Sequence, residues 1–556
     1  MYNRFLMKNR IISYSSVLTY FLVILLLITF NPDPHHDGIL LSIGQLTHKG
    51  LIPHIDYVFI WGPVLPYILS IPLFFAENLI VLRLFGYLCI CAIAFSLYKL
   101  NSKQISKQDS ILISTAWLVS LPPITVLTNN PWPRPINAWP NTYAFLFILA
   151  SAYILLKMSP NSIGFKTILL NFIAGIFSVL PVLIRFNFIF CLLAFLFYKY
   201  WTCKSKKVFI SFALPTLSIL TLLIFNRFQP FVGAWFEQTF LALKGPTVSS
   251  GVPDFTLMTT ARSLFAITLL FFLYVIFVVI MHIKNNLIPK KYLFALIGTY
   301  TLYILVSILN NLRIIESNPL EKMTVWFNKV NSEFSLGYIS VSLVALIPIT
   351  IINLKNHNFD RNSDPYLILL ALLAFATLPL NHNMNVEYIW LNCVFLISYS
   401  LISINKIFDI SLFNLVFPSL IFSCLMLILG LVNLSQAQTY SFQSPPLKFM
   451  HSVDKELGAD LDQEMGLFKL IPSGSRFQNL CSDWIYLVND RKLIYSSKLL
   501  TLNENPIYNK NYDIKSGTWV FECNVLENRL DQLSKVDFYH IMKSNGKISV
   551  IYKVKS

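Results

Sequence analysis

The chain has 556 residues, 55% hydrophobic and 13% charged, with mean hydropathy +0.61 and a net charge of +16. Soluble domains carry about 25% charged residues, so a water-soluble globular fold is excluded and a polytopic α-helical membrane protein is expected. The positive charge does not signal nucleic acid: residues 1–440 hold 28 Lys+Arg against 14 Asp+Glu, placed in short loops between apolar runs, a topogenic pattern suited to anionic lipid, whereas residues 441–556 are balanced at 15 against 13.

The first apolar run, Ile11 to Phe30, follows Arg4, Lys8 and Arg10. It is long enough to cross a bilayer, which takes roughly 20 residues. The following "LLLITFNPDP" offers no small-residue cleavage site, so an uncleaved first helix is expected. Next comes "NPDPHHDG", residues 31–38, with two acids, two histidines and two prolines pressed against that helix. From Asp37 onward, Ile39, Leu40, Ile43 and Leu46 share one face of a short helix, with Ser42, Gln45 and His48 opposite. This spacing predicts an interfacial helix with its apolar side in lipid, ended by Gly50. "PHIDYVFIWGPVLPY" follows, bringing Asp56 and a Trp-Gly-Pro turn at 61–63.

Residues 62–77 are apolar, but Pro63, Pro66 and Pro72 interrupt their hydrogen bonding. Charge decides whether they span. With this segment at the interface there are thirteen spans, at about 11–30, 79–99, 110–127, 139–157, 167–183, 186–201, 208–226, 262–283, 291–309, 338–354, 365–380, 386–404 and 411–433. The inside loops then carry 18 Lys+Arg and the outer segments up to residue 440 only 10. That topology starts inside and places on one outer face the first loop (31–78), "NNPWPRPINAWPN" (129–141), the loops 227–261 and 310–337, and the tail. The tail, 441–556, is expected to be a small extracytoplasmic α/β domain. Val453, Leu457, Leu461, Met465 and Phe468 repeat at helical spacing, ahead of strand-like "DWIYLV", "TWVFEC" and "KISVIYKV". Six of the eight cysteines lie in or beside apolar runs; Cys481 and Cys523, alone in the tail and in an oxidising compartment under this topology, are expected to form a disulfide.

The order acid, short helix, glycine, acid, Gly-Pro, second short segment and span resembles the first outer loop of the GT-C superfamily. These are membrane glycosyltransferases that use polyprenyl-phosphate sugars, protein O-mannosyltransferases and lipid A aminoarabinose transferases among them. The resemblance implies a GT-C type fold, a polyprenyl-phosphate-sugar donor, an extracytoplasmic acceptor and a bacterial cytoplasmic (inner) membrane. Asp37 matches the position of the family's essential acid. The family often shows two adjacent acids there; this chain has "HHDG", with Asp33 four residues earlier.

The chemistry asks for such residues. The acceptor hydroxyl must lose a proton as it attacks, and a carboxylate can take it, with a gain of typically 10²–10⁴-fold. Asp37 is the candidate base and equally a helix N-cap. Asp33 and Asp56 are candidates for substrate contact or simple loop solvation. His35 and His36 could contact sugar hydroxyls, and His35, Asp37 and Asp56 could together bind a divalent cation, Mg or Mn. Charge growing on the departing phosphate needs a cation. Arg185, in "LPVLIRFNFIF" between two apolar runs, is the first candidate, since a charge there is costly. Arg134, Arg313, His382, Glu387 and Tyr388 are further candidates for donor contact, His382 and Tyr388 on the resemblance. Arg83, at the start of a span, reads as a structural or interfacial charge.

Other classes compete with this reading, among them a catalytically inactive relative acting as a scaffold. O-antigen polymerases or ligases also have about a dozen spans, but their catalysis leans on Arg and His rather than on an acid after the first helix. A transporter or flippase would carry paired half-helices and charges at mid-membrane, whereas here the acids cluster at one face. Neither GxGxxG nor a P-loop occurs, in keeping with a lipid-linked donor rather than a nucleotide sugar.

Overall fold

The computed structural model describes Leu22, Leu25, Leu412 and the ranges 28–33, 36–57, 61–120, 140–158, 164–203, 205–225, 365–377, 394–408, 439–444, 447–452, 455–479, 494–495, 516–522, 538–544 and 547–554, with Phe59. Among the described residues, three helices are long and apolar enough to cross a membrane: Leu79–Asn101 (α3), Pro140–Lys157 (α5) and Phe165–Ile184 (α6). Helices at Lys107–Ser120 (α4), Ile189–Thr202 (α7), Lys206–Phe225 (α8), Pro365–Thr377 (α9) and Val394–Phe408 (α10) fall on further expected spans. The expected spans at 262–283, 291–309 and 338–354 lie outside the described residues, as does nearly all of those at 11–30 and 411–433.

The chain divides into two compact units. One comprises Met1–Leu27, Leu88–Ile219 and Pro253–Ser435; the other comprises Ile28–Tyr87, Leu220–Val252 and Gln436–Ser556. In the first, α5 packs on α6, and α9 packs on α7 and α10. Small residues let these backbones approach. A Cβ added to Gly175 of α6 would lie 2.2 Å from the Phe212 carbonyl oxygen of α8. A buried polar cluster joins three elements: Tyr366 of α9 donates to Asn101 Oδ1, and Asn101 Nδ2 donates to Ser398 of α10 at 3.5 Å.

The second unit opens with a pair of short helices, His36–His48 (α1) and Val64–Leu73 (α2). Ten residues of helix reach about 15 Å, half of a hydrocarbon core of about 30 Å, so α2 is too short to span, as the prolines indicated. Pro66 falls in the first turn, where its missing N–H breaks no helical bond, and Pro72 stands one residue before the end.

The exposed apolar face is not where the helical pattern put it. Ile39, Leu40, Ile43 and Leu46 of α1 are all buried, and of the polar residues opposite Ser42 and Gln45 are buried too while His48 is half-buried. The two helices pack against each other, with Gly44 brought against the Leu69 carbonyl, and the Tyr57 hydroxyl bonds to Thr47 and to the Ile43 carbonyl. The exposed apolar side belongs instead to α2 and its exit: Tyr67, Ile71, Phe74 and Phe75, the last 86% exposed.

The tail begins with two short antiparallel strands, Tyr440–Ser441 (β1) and His451–Ser452 (β2), then a helix, Lys455–Leu467 (α11). Leu461, Met465 and Phe468 are buried as the spacing predicted. A five-stranded sheet follows in the order β4-β3-β5-β7-β6, with β3 at Arg476–Asn479, β4 at Ile494–Tyr495, β5 at Trp519–Glu522, β6 at Phe538–Ser544 and β7 at Lys547–Lys553. β3 runs parallel to β4 and β5; β7 is antiparallel to β5 and β6. Phe468, Phe477 and Phe521 form the aromatic centre, and every residue of β5 is buried. "DWIYLV", Cys481 and Cys523 lie outside the described residues; each cysteine is two positions beyond the register pair Asn479 and Phe521.

Asp462 of α11 has its carboxyl held below the usual range: partial burial opposes this, but hydrogen bonds from Ser444, Gln443 and Tyr440 outweigh it. A depressed carboxyl stabilises the fold above its unfolded pKa and loses that contribution as pH falls through the folded value. The β1–β2 segment is therefore expected to loosen at acidic pH, below the ordinary Asp range, as amide exchange on residues 440–452 would record. In the other unit, Gly175→Ala forces α6 and α8 apart, and a loss of about 1–3 kcal/mol in unfolding free energy is expected.

Candidate functional site

Asp37 sits in the first turn of α1, where a carboxylate meets the positive end of the helix dipole. Its Oδ2 accepts from the Asp33 N–H at 2.8 Å, while the Asp33 carbonyl accepts from the Asp37 and Gly38 amides. Asp37 thus stands inside the first turn and reaches back to Asp33 rather than serving as the N-cap itself. That bond is the lesser part of what Asp37 does.

Asn78 caps α3 by accepting the Val81 N–H at 3.0 Å, and this fixes the phase of the helix so that Arg83, on its second turn, points to Asp37. Arg83 Nε donates to Asp37 Oδ1 at 3.3 Å and Nη2 donates to Oδ2. Nη1 donates to the carbonyls of Ile28 and Phe30 at 2.9 and 2.7 Å, and Nη2 also to that of Asn31 at 2.9 Å. A guanidinium has five N–H bonds, and all five are used. Both side chains are almost wholly buried, 3% and 2% exposed.

Of the two readings its position allowed, Arg83 is the structural charge and not the interfacial one. The rule that marked Arg185, a charge inside an apolar run, applies equally to a residue four positions into the span at Leu79.

Asp56 stands apart in a turn of its own. Its Oδ2 accepts the Ile52 N–H at 2.7 Å and the side chain is exposed. The next turn is closely built: His54 has φ +63°, stacks on Phe59 at 4.3 Å and bonds through Nε2 to the Trp61 carbonyl at 2.9 Å. Tyr57 bonds to Thr47 at 2.6 Å and donates to the Ile43 carbonyl; burial raises its hydroxyl far above the usual phenol range. His48 faces Glu77 at 3.8 Å and meets Phe74 edge-on.

Among the described residues, no three of His, Cys, Asp and Glu gather as a metal site. Both Asp37 oxygens face the Arg83 guanidinium, which already supplies the positive charge a divalent cation would bring, and Asp56 is committed to its own turn. The described members of the expected ligand set therefore do not fit a bound cation. His35 lies outside the described residues, and for His36 only the backbone is described.

Arg185 belongs to the other unit. Helix α6 ends at Ile184; Arg185 is extended (φ −154°, ψ 122°), and a single 3-10 turn, Phe186–Phe188, leads into α7. Its Nη1 donates to Asn141 Oδ1 at 2.9 Å, and both side chains are buried. Asn141 follows Pro140, which opens α5 at the position where a missing N–H costs nothing. One turn on, Phe145 packs edge-on against Phe188 at 5.6 Å, so the start of α5 and the break at Arg185 are joined twice. Asn141 was not singled out by sequence; a polar side chain one residue into an apolar run was its signal. Arg134, Arg313, His382, Glu387 and Tyr388 lie outside the described residues.

Removing Arg83 leaves a buried carboxylate without its partner. Arg83→Ala is expected to cost about 3–5 kcal/mol, with Arg83→Lys between it and the wild type, because three donors cannot replace a five-donor fork. Thermal unfolding of the purified proteins in detergent checks the order; equal midpoints for all three would contradict it.

No family model and no curated protein matches the chain. Solved structures similar to it include the crystal structure of ArnT from Cupriavidus metallidurans in the apo state, at 10% identity and a TM-score of 0.43, covering 98% of this chain and 97% of that one. The same protein bound to undecaprenyl phosphate is similar at 9% identity and a TM-score of 0.41, covering 98% of each chain.

Proposed function

We propose that the chain is an inverting glycosyltransferase that moves a sugar from a polyprenyl-phosphate donor to an acceptor on the outer face of a bacterial cytoplasmic membrane. The supporting observation is the buried acid at the exit of the first helix, held by an arginine whose every donor is engaged. Asp37 Oδ1 accepts one hydrogen bond and Oδ2 two among the described residues. A carboxylate oxygen has two acceptor directions, so Oδ1 keeps one for an acceptor hydroxyl.

In the step we assign, the acceptor oxygen attacks the anomeric carbon and forms the new C–O bond. The bond from that carbon to the phosphate oxygen breaks, polyprenyl phosphate departs, and the hydroxyl proton passes to Asp37. In-line attack inverts the anomeric centre. Arg83 keeps the carboxylate fixed, so that little reorganisation is needed at the moment of reaction. Arg185 is assigned, from its burial and its place at a helix break, to the phosphate of the donor lipid. A membrane-embedded, N-inside chain with its tail outside accords with the charge distribution, and a Cys481–Cys523 disulfide with the parallel register of β3 and β5.

Purified protein, incubated in detergent with polyprenyl-phosphate sugars from a bacterial lipid extract, is expected to release free polyprenyl phosphate. Asp37→Asn should slow release by about 10²–10⁴-fold, and Asp37→Glu, which keeps a charge for Arg83, should remain folded yet slow. EDTA should leave the wild-type rate unchanged. An Asp37→Asn protein with the full rate would remove Asp37 from the mechanism. Thiol labelling of the native protein should find neither Cys481 nor Cys523 reactive before reduction.

A further inference from the structure

The segment that carries the acid is not held by the first loop alone. His451 of β2 lies beside Phe30 as a parallel bridge: the His451 N–H donates to the Thr29 carbonyl at 2.7 Å, and the Asn31 N–H donates to the His451 carbonyl at 2.7 Å. The two rings, Phe30 and His451, sit 5.4 Å apart. Arg83 takes the carbonyls of Ile28, Phe30 and Asn31. Residues 28–31 are thus gripped by the tail through Thr29 and Asn31, and by the arginine that holds Asp37 through the remaining acceptors. Asn31, at φ +47°, adopts a conformation that non-glycine residues seldom keep without such support.

Behind β2 stands one carboxylate. Asp462 Oδ2 accepts the Tyr440 hydroxyl at 2.8 Å and the Gln443 N–H at 3.0 Å; its Oδ1 accepts the Ser444 N–H at 2.9 Å and the Ser444 hydroxyl at 2.5 Å. This clamps β1, which pairs with β2 as Tyr440 opposite Ser452 and Ser441 opposite His451. Gly458 completes the seat: a Cβ there would lie 2.8 Å from Ser452 Cβ and 3.0 Å from Tyr440 Cβ, so only glycine lets α11 settle directly on both strands.

We infer that Asp462 is a positioning residue for the acidic loop, acting through the β1–β2 pair and His451 on residues 28–31, and that the tail is a working part of the site rather than a separate module. The kinetic part of this inference rests on the glycosyltransferase reading; the structural part does not.

The test is amide exchange on the full-length protein in nanodiscs, with turnover measured on the same samples. In Asp462→Ala, peptides covering 440–452 and 28–38 are both expected to exchange faster, by about tenfold or more, while those from α5 keep the wild-type rate. Tyr440→Phe and Ser444→Ala, which each delete one donor and leave the carboxylate, should give smaller increases at both places. They serve alone if Asp462→Ala does not accumulate. Turnover should fall in kcat, with KM for the donor lipid little changed, and Asp462→Asn, which keeps one acceptor oxygen, should recover part of it. Faster exchange at 440–452 with 28–38 unchanged would overturn the inference, whatever happens to activity. If 28–38 loosens in the variants but the wild type releases no polyprenyl phosphate, the positioning role stands and the glycosyltransferase reading falls.

Discussion

The acidic loop depends on one buried guanidinium. Arg83 gathers residues 28–31, the first turn of α1 and its own helix α3 into a single knot, because its five donors find three carbonyls and two carboxylate oxygens. Taking an ion pair out of water is expensive, and a hydrophobic replacement of equal volume is often no less stable. What the pair supplies is direction. Asp37 cannot rotate without breaking a fork, and residues 28–31 cannot shift without uncovering a buried donor. Lysine could match the charge but not the geometry.

Around that knot, close backbone approach decides what faces lipid. Gly44 lets α1 lie on α2, so α1 becomes a buried helix with its polar side satisfied internally, for example by Thr47 on Tyr57 and by Gln45 on the Glu77 carbonyl. The apolar surface then passes to α2 and the two phenylalanines after it. A ten-residue helix with prolines in its first and last turns, too short to span and apolar on its outer side, is suited to lie along an interface.

Much of this arrangement was legible in the sequence, and the parts that were not share a cause. Length, hydropathy and loop charge located eight of the described helices on expected spans, because crossing a bilayer needs a long apolar run whatever the neighbours do. Prolines 63, 66 and 72 foretold the short helix for a similarly local reason. The face of α1 was misassigned because helical spacing tells which residues are apolar and not what covers them. Arg83 was undervalued, and Asn141 and His451 went unnoticed, since each acquires its meaning from a partner distant in the chain: Asp37, Arg185 and Thr29 respectively. In the tail, α11 and the strands β5 and β7 follow from periodicity. The pairing of β2 with the exit of the first helix follows from no local pattern.

The two buried arginines of the described residues are held in physically different ways, and the difference bears on what each can do. Arg83 meets a carboxylate, so its charge is balanced within the fold and its donors are used up. A ligand arriving there would have to displace a bidentate contact in a low-dielectric setting, where such contacts are strongest. Arg185 donates to the carboxamide of Asn141, a neutral partner. An amide orients without neutralising. The second arrangement occurs where α6 breaks and the backbone turns extended for one residue before the next helix begins. The acid and its arginine are therefore best understood as fixed architecture that presents a carboxylate.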